Sequence, residues 1–272
     1  MKKISNIFKM MSITSLTCFL GSITTVGLKN NDVVSDKKQC KNSINKNEII
    51  TKKIDAKLIG ADKGTITIEY TNPSECKITS CSSSFLASGD FNFNGGKFVC
   101  DGVEYTITEI GWDAFGIHTD INWHFINCNL TIPSTIKKIH VKAFYGNSPK
   151  YSFTNKEIIG LNFEEGIEDI GWKAFKKCDD LKSDKLVLPN SLQHIGDYAF
   201  AEIFWSSVRE LDLSALDHVI NIDAGPFSKD GCLYNSAWIM IDKIWLKDEA
   251  TKEKYCSDKY WSSVAKYFLL KD

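Results

Sequence analysis

The sequence lacks the features that mark several common functional classes. Its 33 lysine and arginine residues are balanced by 34 acidic residues, which gives a net charge of −1. Because nucleic-acid binding needs clustered positive charge, we expect no nucleic-acid partner. The sequence also contains no Walker loop, no HExxH motif and no dinucleotide-binding fingerprint, so we expect no nucleotide cofactor. With 43% hydrophobic residues and five prolines, it nevertheless has the composition of a folded protein with a buried core.

Metal-binding patterns of cysteine and histidine are missing as well. Cys76 and Cys81 are spaced too widely for a zinc knuckle, and His118 and His124, six positions apart, match no common ligand pair. The sequence therefore predicts no metal site. Eight of the nine cysteines follow the N-terminal segment, and an even number permits disulfides in an exported protein, with the pairing left open. A local disulfide among Cys76, Cys81 and Cys100 is compatible with this count.

The N-terminal segment has the pattern of an export signal. Three lysines precede an uncharged run of nineteen residues from Met10 to Leu28, and small residues near its end suit cleavage. The same run is long enough to remain as a membrane anchor, although seven serine and threonine residues weaken it in that role. A lipoprotein signal at Cys18 is a third, poorer match. We assign residues 1–28 to a signal peptide or anchor and the polar residues 29–53 to a flexible tether.

A change of pattern predicts a small β region over residues 54–100. Thr65–Tyr70 and Phe91–Asn94 alternate apolar and polar residues as half-buried strands do, and Gly95 and Gly96 mark a turn. This region is placed to cap the segment that follows it.

The strongest signal in the chain is an internal repeat. Leu130–Phe144, Leu161–Phe175 and Leu186–Phe200 share one spacing, in which offsets 0, 2, 6, 9, 13 and 14 are apolar in all three segments. Coils with such a period cannot bury their apolar faces alone, and stacking closes one continuous core. We therefore predict a solenoid of short parallel strands and short helical turns over residues 101–247.

Three further copies are less complete, and they begin at residues 101, 211 and 244. The first keeps the offsets from Val103 to Phe115. The fifth reaches Phe227 with two extra residues and has Pro226 in the alanine position, while the sixth keeps only the strand Ile244–Leu246. In a complete copy, the Ala-Phe pair is expected on a short helical turn, and Gly196 is expected to permit a bend.

The C-terminal tail is expected to cover the last coil. Tyr255, Trp261, Val264 and Phe268 are spaced as on one face of a helix. This spacing predicts a capping helix over residues 248–272.

These repeats resemble the BspA-like leucine-rich repeat family, whose copies read approximately L-x-I-P-x-S-L-x-x-I-G-x-x-A-F-x-x-C-x-x-L. The match is closest at Leu186–Phe200 and Leu161–Leu181, and the tail resembles the terminal cap of the family through Tyr255 and Trp261. The resemblance implies a leucine-rich repeat solenoid in a secreted or cell-surface protein that serves as an adhesin or interaction module and has no enzyme activity. It also implies that two cysteines inside the coils are buried free thiols, Cys128 and Cys178.

One repeat position departs from the polar character expected of it. The residue after the repeat glycine is Trp112, Val141, Trp172 and Asp197 in successive coils, and stacking would bring these positions side by side. If they are exposed, Trp112, Val141 and Trp172 form an apolar stripe of the kind that marks binding surfaces. The alternative is that insertions or the N-terminal β region cover them.

These observations favour an exported, non-enzymatic protein that presents one face of its repeats to an extracellular or host macromolecule, namely a protein. Membrane contact is expected only through the N-terminal segment, if that segment remains uncleaved. One alternative is a structural protein of the cell envelope that acts by self-association. A more distant alternative is a hydrolase, which would need a cluster of titratable residues on one face.

Overall fold

The computed structural model describes residues 48–116, 124–146, 158–203, 207–234 and 241–271, all of which belong to the compact unit Asn45–Asp272. The predicted leader and most of the predicted tether lie outside the described residues. Within these residues, no helix is both long and apolar enough to cross a membrane.

The chain enters this unit through an antiparallel sheet. Strands β1 (Ile50–Asp55), β2 (Thr65–Asn72) and β3 (Glu75–Cys81) pair in sequence order. Alternate residues of β2 are buried, as the Thr65–Tyr70 pattern predicts. Strand β1 begins inside the segment that was expected to be a tether. Strand β3 then pairs in parallel with β6 (Val103–Ile110), which joins this region to the repeats.

The first coil begins earlier than the sequence pattern suggests. Strand β4 (Ala87–Phe91) pairs in parallel with β7 (Phe125–Ile132), and this pairing places Phe91 opposite Leu130. Strand β5 (Lys97–Cys100) forms an antiparallel hairpin with β6, in which Val103 pairs with Cys100 and is 40% exposed. The expected start at residue 101 is therefore the tip of an inserted hairpin, because Phe91 already occupies the leading apolar position.

One row of parallel strands runs through the coils along the isoleucine position of the repeat. It consists of β6 and four two-residue strands: β8 (Lys138–Ile139), β10 (Asp169–Ile170), β12 (His194–Ile195) and β14 (Asn221–Ile222). In each pairing, isoleucine stands opposite isoleucine. This register is what the repeat spacing predicts for stacked coils.

The leucine position of the repeat forms a second set of parallel strands. One sheet contains β4, β7 and β9 (Ile158–Phe163), and another contains β11 (Lys185–Val187), β13 (Glu210–Asp212), β15 (Lys243–Leu246) and β16 (Phe268–Leu270). Leu130 stands opposite Leu161, and Leu186 opposite Leu211. The sixth strand predicted at Ile244–Leu246 is confirmed as part of β15.

The apolar offsets of the repeat form the core. Of the eighteen aligned positions in the three complete copies, seventeen are buried and Phe163 is half-buried. Four fully buried rings stack in one column, with centroid distances of 5.5, 5.0 and 5.5 Å and interplanar angles of 9° or less: Phe115, Phe144, Phe175 and Phe200. Parallel rings at this spacing pack in the offset arrangement that aromatic pairs favour.

The Ala-Phe pair follows a tight turn rather than a helical turn. In the fourth coil the backbone N–H of Ala199 donates to the carbonyl of Gly196, and Tyr198 has a left-handed φ of 57°. Gly196 does not have a positive φ, so its role differs from the expected bend. A Cβ atom there would lie 2.7 Å from the backbone nitrogen of Trp172, which shows that glycine permits close stacking of neighbouring coils.

The fifth coil uses a different residue pair from the expected Pro226 and Phe227. The backbone N–H of Phe200 donates to the carbonyl of Cys232, and both Cys232 and Leu233 are buried whereas Phe227 is only partly buried. In the fifth coil, Cys232 and Leu233 therefore take the positions that Ala199 and Phe200 take in the fourth coil. Additional residues after Ile222 place this pair at Cys232 and Leu233, further along the chain than the expected Pro226 and Phe227.

The tail covers the last coil in three short elements instead of one helix. Asp258 follows helix α1 (Glu249–Ser257), and its carboxylate accepts hydrogen bonds from the backbone N–H groups of Tyr260 and Trp261, where the 3-10 helix Trp261–Tyr267 begins. Tyr255 and Trp261 are fully buried, and they bond the backbone N–H and carbonyl of Ile220, respectively. These contacts place the tail against the fifth coil, and the chain then forms β16 on the edge of β15.

The described cysteines differ in burial, and the predicted local disulfide among three of them is absent. Cys76, Cys81 and Cys100 are free, so the local disulfide among them is not formed. Cys76 is buried in the core, whereas the Cys100 thiol lies at the exposed end of β5 beside Asp101. Cys128 and Cys178 are fully buried, as the family resemblance implies, and the Cys178 thiol donates to the carbonyl of Phe144 (3.4 Å).

Candidate interaction surface

Equivalent turns of consecutive coils stack directly on one another. The backbone N–H of Asp113 donates to the carbonyl of Val141 (3.0 Å), and that of Lys142 donates to the carbonyl of Trp172 (2.9 Å). In both turns the donor residue has a left-handed φ, 56° for Asp113 and 57° for Lys142. Side chains at one position of the turn therefore project from neighbouring coils in one row.

Trp112, Val141 and Trp172 occupy this row. Trp112 is 67% exposed and Trp172 is 37% exposed, the two most exposed tryptophan side chains among the described residues, and Val141 between them is half-buried. The structure thus places the three residues in adjacent turns, as the repeat alignment predicts. In the described residues the insertions and the N-terminal β region leave Trp112 uncovered. Whether the row binds a partner stays a prediction.

The row is less apolar than the sequence suggested, because lysines surround Trp172. The ammonium group of Lys173 lies 3.9 Å from the centre of the Trp172 ring, and that of Lys142 lies 5.5 Å from it. Both distances are within the range of cation–π attraction. The ring of Trp172 is therefore in contact with two positively charged side chains.

The same pattern continues across the turns. Tyr145 lies within 5.8 Å of the ammonium groups of Lys142 and Lys177, and Tyr198 within 5.4 Å of those of Lys173 and Lys176. We call this set the lysine surface: Lys142, Lys173, Lys176 and Lys177 with Tyr145, Trp172 and Tyr198.

The lysine surface was not among the sites predicted from the sequence. Lys142 and Lys173 occupy the same repeat position, directly before the Ala-Phe pair, and this shared position was a usable signal. Lys176 and Lys177 follow the pair in one coil only. Their approach to the rings of neighbouring coils depends on the stacking, which no single copy reveals.

A second row of polar side chains crosses the isoleucine strands. His194 bonds Asp169 through Nδ1 (2.8 Å) and Asp223 through Nε2 (3.1 Å), and Lys138 forms an ion pair with Asp169 (2.6 Å). Burial lowers the pKa of His194, but the two carboxylates outweigh it and raise the pKa above its usual value. For Asp169, burial raises the pKa, but Lys138 and His194 outweigh it and hold the pKa below its usual value.

We expect His194→Gln to destabilise the protein only where the imidazole is charged. Because its folded-state pKa is raised, the stabilisation is fully present below pH 6.5 and disappears as the pH rises through the folded-state value. It also fades as acid protonates Asp169, below pH 3.8. The effect should be less than about 1 kcal/mol, because the imidazole is 36% exposed. Urea unfolding of both proteins across this range measures it.

The control for this experiment removes the partners of the imidazole. In a background of Asp169→Asn and Asp223→Asn, only burial acts on the pKa of His194 and lowers it, so the His194→Gln substitution should no longer destabilise the protein at acid pH. A stability difference that stays constant with pH in the native background would contradict the assignment of His194 to a charged bridge.

The one histidine–cysteine contact in the described residues is poorly suited to catalysis. His124 Nε2 lies 3.5 Å from Cys81 Sγ. Burial raises the pKa of Cys81 to about 12 and lowers that of His124. The thiol therefore stays protonated at neutral pH, whereas nucleophilic cysteines need a lowered pKa. His118 lies outside the described residues, and the described residues contain no group of three side chains able to hold a metal ion.

A known protein family matches part of the repeat segment. Residues 147–236 match, in six copies, the family model described as BspA type leucine rich repeat region. A search of curated proteins found no match to this sequence.

Solved structures that are similar to this chain include a vaccine antigen and two leucine-rich repeat proteins. The pneumococcal vaccine antigen PcpA is 16% identical over 75% of this chain and 51% of its own, with a TM-score of 0.43. A leucine-rich repeat protein from Bacteroides ovatus is 20% identical over 67% of this chain and 46% of its own, also with a TM-score of 0.43. One from Bacteroides capillosus is 19% identical over 67% of this chain and 94% of its own, with a TM-score of 0.34.

The chain spans about half the length of the first two of these structures, and likeness at this level carries no argument about function. The family match covers two of the three complete copies, Leu161–Phe175 and Leu186–Phe200, and it confirms the resemblance inferred from their spacing. Residues 147–236 of this chain are therefore a BspA-type leucine-rich repeat region.

Proposed function

We propose that this protein is a non-enzymatic interaction module that binds another protein through the row of Trp112, Val141 and Trp172. The observation that carries the proposal is the 67% exposure of Trp112 in a turn stacked beside that of Val141. A large aromatic side chain held on a fixed turn loses little conformational freedom on binding, and tryptophan is enriched among residues that dominate interfaces.

The family match supports a binding role, since stacked repeats create extended surfaces suited to macromolecular partners. On this proposal the repeats form a solenoid, and the predicted N-terminal signal exports the protein to the cell surface or the medium. The partner is then an extracellular protein or a protein of a host cell.

Replacing both tryptophans should remove binding without unfolding the protein. We expect Trp112→Ser with Trp172→Ser to leave the protein folded and to lower the free energy of unfolding by about 1–2 kcal/mol, because Trp172 is 37% exposed and loses its cation–π contacts with Lys142 and Lys173. The same double variant should lose the capture of extracellular proteins that the wild-type chain achieves on beads. Thermal unfolding and a pull-down followed by mass spectrometry measure the two effects.

A matched control removes two exposed apolar residues from the other strand set. Val187 is 49% exposed and Leu269 is 40% exposed, and their joint replacement with serine should leave capture intact. If the tryptophan variant captures the same proteins as the wild type, the row is not the binding surface. If the wild type captures only further copies of itself, self-association replaces the proposed function.

A further inference from the structure

The lysine surface carries more positive charge than its own carboxylates neutralise. Lys176 forms an ion pair with Glu202 (3.1 Å). Lys142, Lys173 and Lys177 form no ion pair with any other residue that the structure describes. Three half-buried lysines in adjacent coils therefore have no carboxylate partner in the described part of the chain.

Aromatic rings hold these ammonium groups in place. Lys173 lies over Trp172, and Lys177 lies 5.7 Å from the centre of the Tyr145 ring. Cation–π contacts at exposed sites are worth about 0.5–1 kcal/mol each, enough to restrict long side chains that otherwise move freely. A surface on which charges are already positioned loses less entropy when it binds an anionic group.

The charges also repel one another. Partial burial, followed by the proximity of Lys176 and Lys142, lowers the pKa of Lys173 below its usual value. This direction agrees with the geometry, because four lysines lie within two neighbouring turns and one carboxylate contacts them. An anionic partner would relieve the repulsion and, on this surface, has the complementary charge.

We propose that the lysine surface binds an acidic segment, rich in aspartate and glutamate, of a partner protein. This inference rests on the proposed function and names the chemistry of the partner beside the tryptophan row. Carboxylates of an extended acidic segment pair with the ammonium groups, and its apolar side chains contact Trp172 and the tyrosine ring edges.

The observations favour an acidic protein segment over other anions. Lys173 occupies the ring face of Trp172 at 3.9 Å, and this leaves little of that face for stacking a sugar or a base. A net charge of −1 disfavours long, densely charged polyanions, which need many lysines to hold them. A small patch of positive charge interleaved with Trp and Tyr instead has the composition of a protein–protein interface.

The test measures binding of a fluorescent oligoglutamate peptide to the full-length protein by anisotropy, with oligoglutamine as the uncharged probe. We expect oligoglutamate to bind, with affinity that falls as salt is added, and oligoglutamine not to bind. Joint replacement of Lys142, Lys173 and Lys177 with glutamine should weaken oligoglutamate binding about tenfold or more. A thermal melt checks that this variant remains folded.

The matched control is Lys185→Gln with Lys243→Gln. Both of these lysines lie within 5.8 Å of the Trp245 ring centre, but both also form ion pairs with Glu210. Since their charges are already neutralised, the double variant should bind oligoglutamate within about twofold of the wild type.

Several outcomes would overturn the inference. The inference fails if the wild type does not bind oligoglutamate, or if the triple variant binds it as tightly as the wild type does. The inference also fails if the control variant loses as much affinity for oligoglutamate as the triple variant. Dextran sulfate or single-stranded DNA that binds more tightly than oligoglutamate at equal charge, and is lost in the triple variant, would assign the surface to another class of polyanion. If partner capture depends on Trp112 while the lysine variants capture normally, the proposed function stands and only this inference fails.

Discussion

Replacing Phe175 with alanine is expected to lower the free energy of unfolding by about 3–5 kcal/mol, the cost of removing a fully buried ring from a core. Phe175 is 0% exposed. Its ring stacks between those of Phe144 (centroid distance 5.0 Å) and Phe200 (5.5 Å), and Phe163 contacts its edge at 5.7 Å. The cavity would open in the middle of the ring column, so two neighbouring coils would lose contacts at once.

Urea and thermal unfolding of the purified variant measure this loss. Trp112→Ala is the matched control, because it removes a larger aromatic ring that is 67% exposed and should cost less than about 1 kcal/mol. An unchanged melting temperature in Phe175→Ala would refute the assignment of this ring to the core.

Gly196→Ala is expected to cost about 1–3 kcal/mol, the range for forcing extra atoms into a well-packed interior. The added methyl group would lie 2.7 Å from the backbone nitrogen of Trp172 and 3.0 Å from the carbonyl carbon of Gly171. Backbone atoms cannot rotate away as a side chain does. The hydrogen bond from the N–H of Gly196 to the carbonyl of Ile170 (2.8 Å) holds the two coils at this separation, so the methyl group must push them apart.

Gly225→Ala provides the control for this substitution. The nearest atom to a Cβ at Gly225 is 3.7 Å away, an ordinary van der Waals contact, and its φ is not in the left-handed region. This variant should be neutral or slightly stabilising, since alanine reduces the entropy of the unfolded chain. Equal stability of the Gly196 and Gly225 variants, measured by urea unfolding, would show that the coils stack less tightly than the structure indicates.

The core of the complete coils could be predicted almost entirely from the sequence. The three segments share their apolar offsets, and a residue that is apolar in every copy has one physical explanation, burial between stacked coils. The incomplete coils were less predictable. Val103 satisfies the spacing but lies in a hairpin, and Phe227 satisfies the Ala-Phe pattern although Cys232 and Leu233 fill the core. A short apolar pattern does not reveal an insertion within it.

The repeat glycine shows a second limit of pattern alone. A glycine at this repeat position indicates that other residues are unsuitable there. The sequence suggested that glycine is needed for a backbone bend. The structure instead shows a backbone of the neighbouring coil at 2.7 Å from the missing Cβ of Gly196. Contacts of this kind arise between coils. The sequence of one coil therefore cannot show whether glycine is required for a close contact or for a bend.

The spacing of the repeat and the row of Trp112, Val141 and Trp172 follow from the sequence, because both depend on equivalent positions in stacked copies. What surrounds that row became visible only in the folded protein. Lys173 and Lys177 meet the rings of Trp172 and Tyr145 through contacts within and between turns, and those contacts depend on side-chain direction and coil separation. Position in a repeat follows from periodicity, whereas the charge of a surface follows from how neighbouring coils combine.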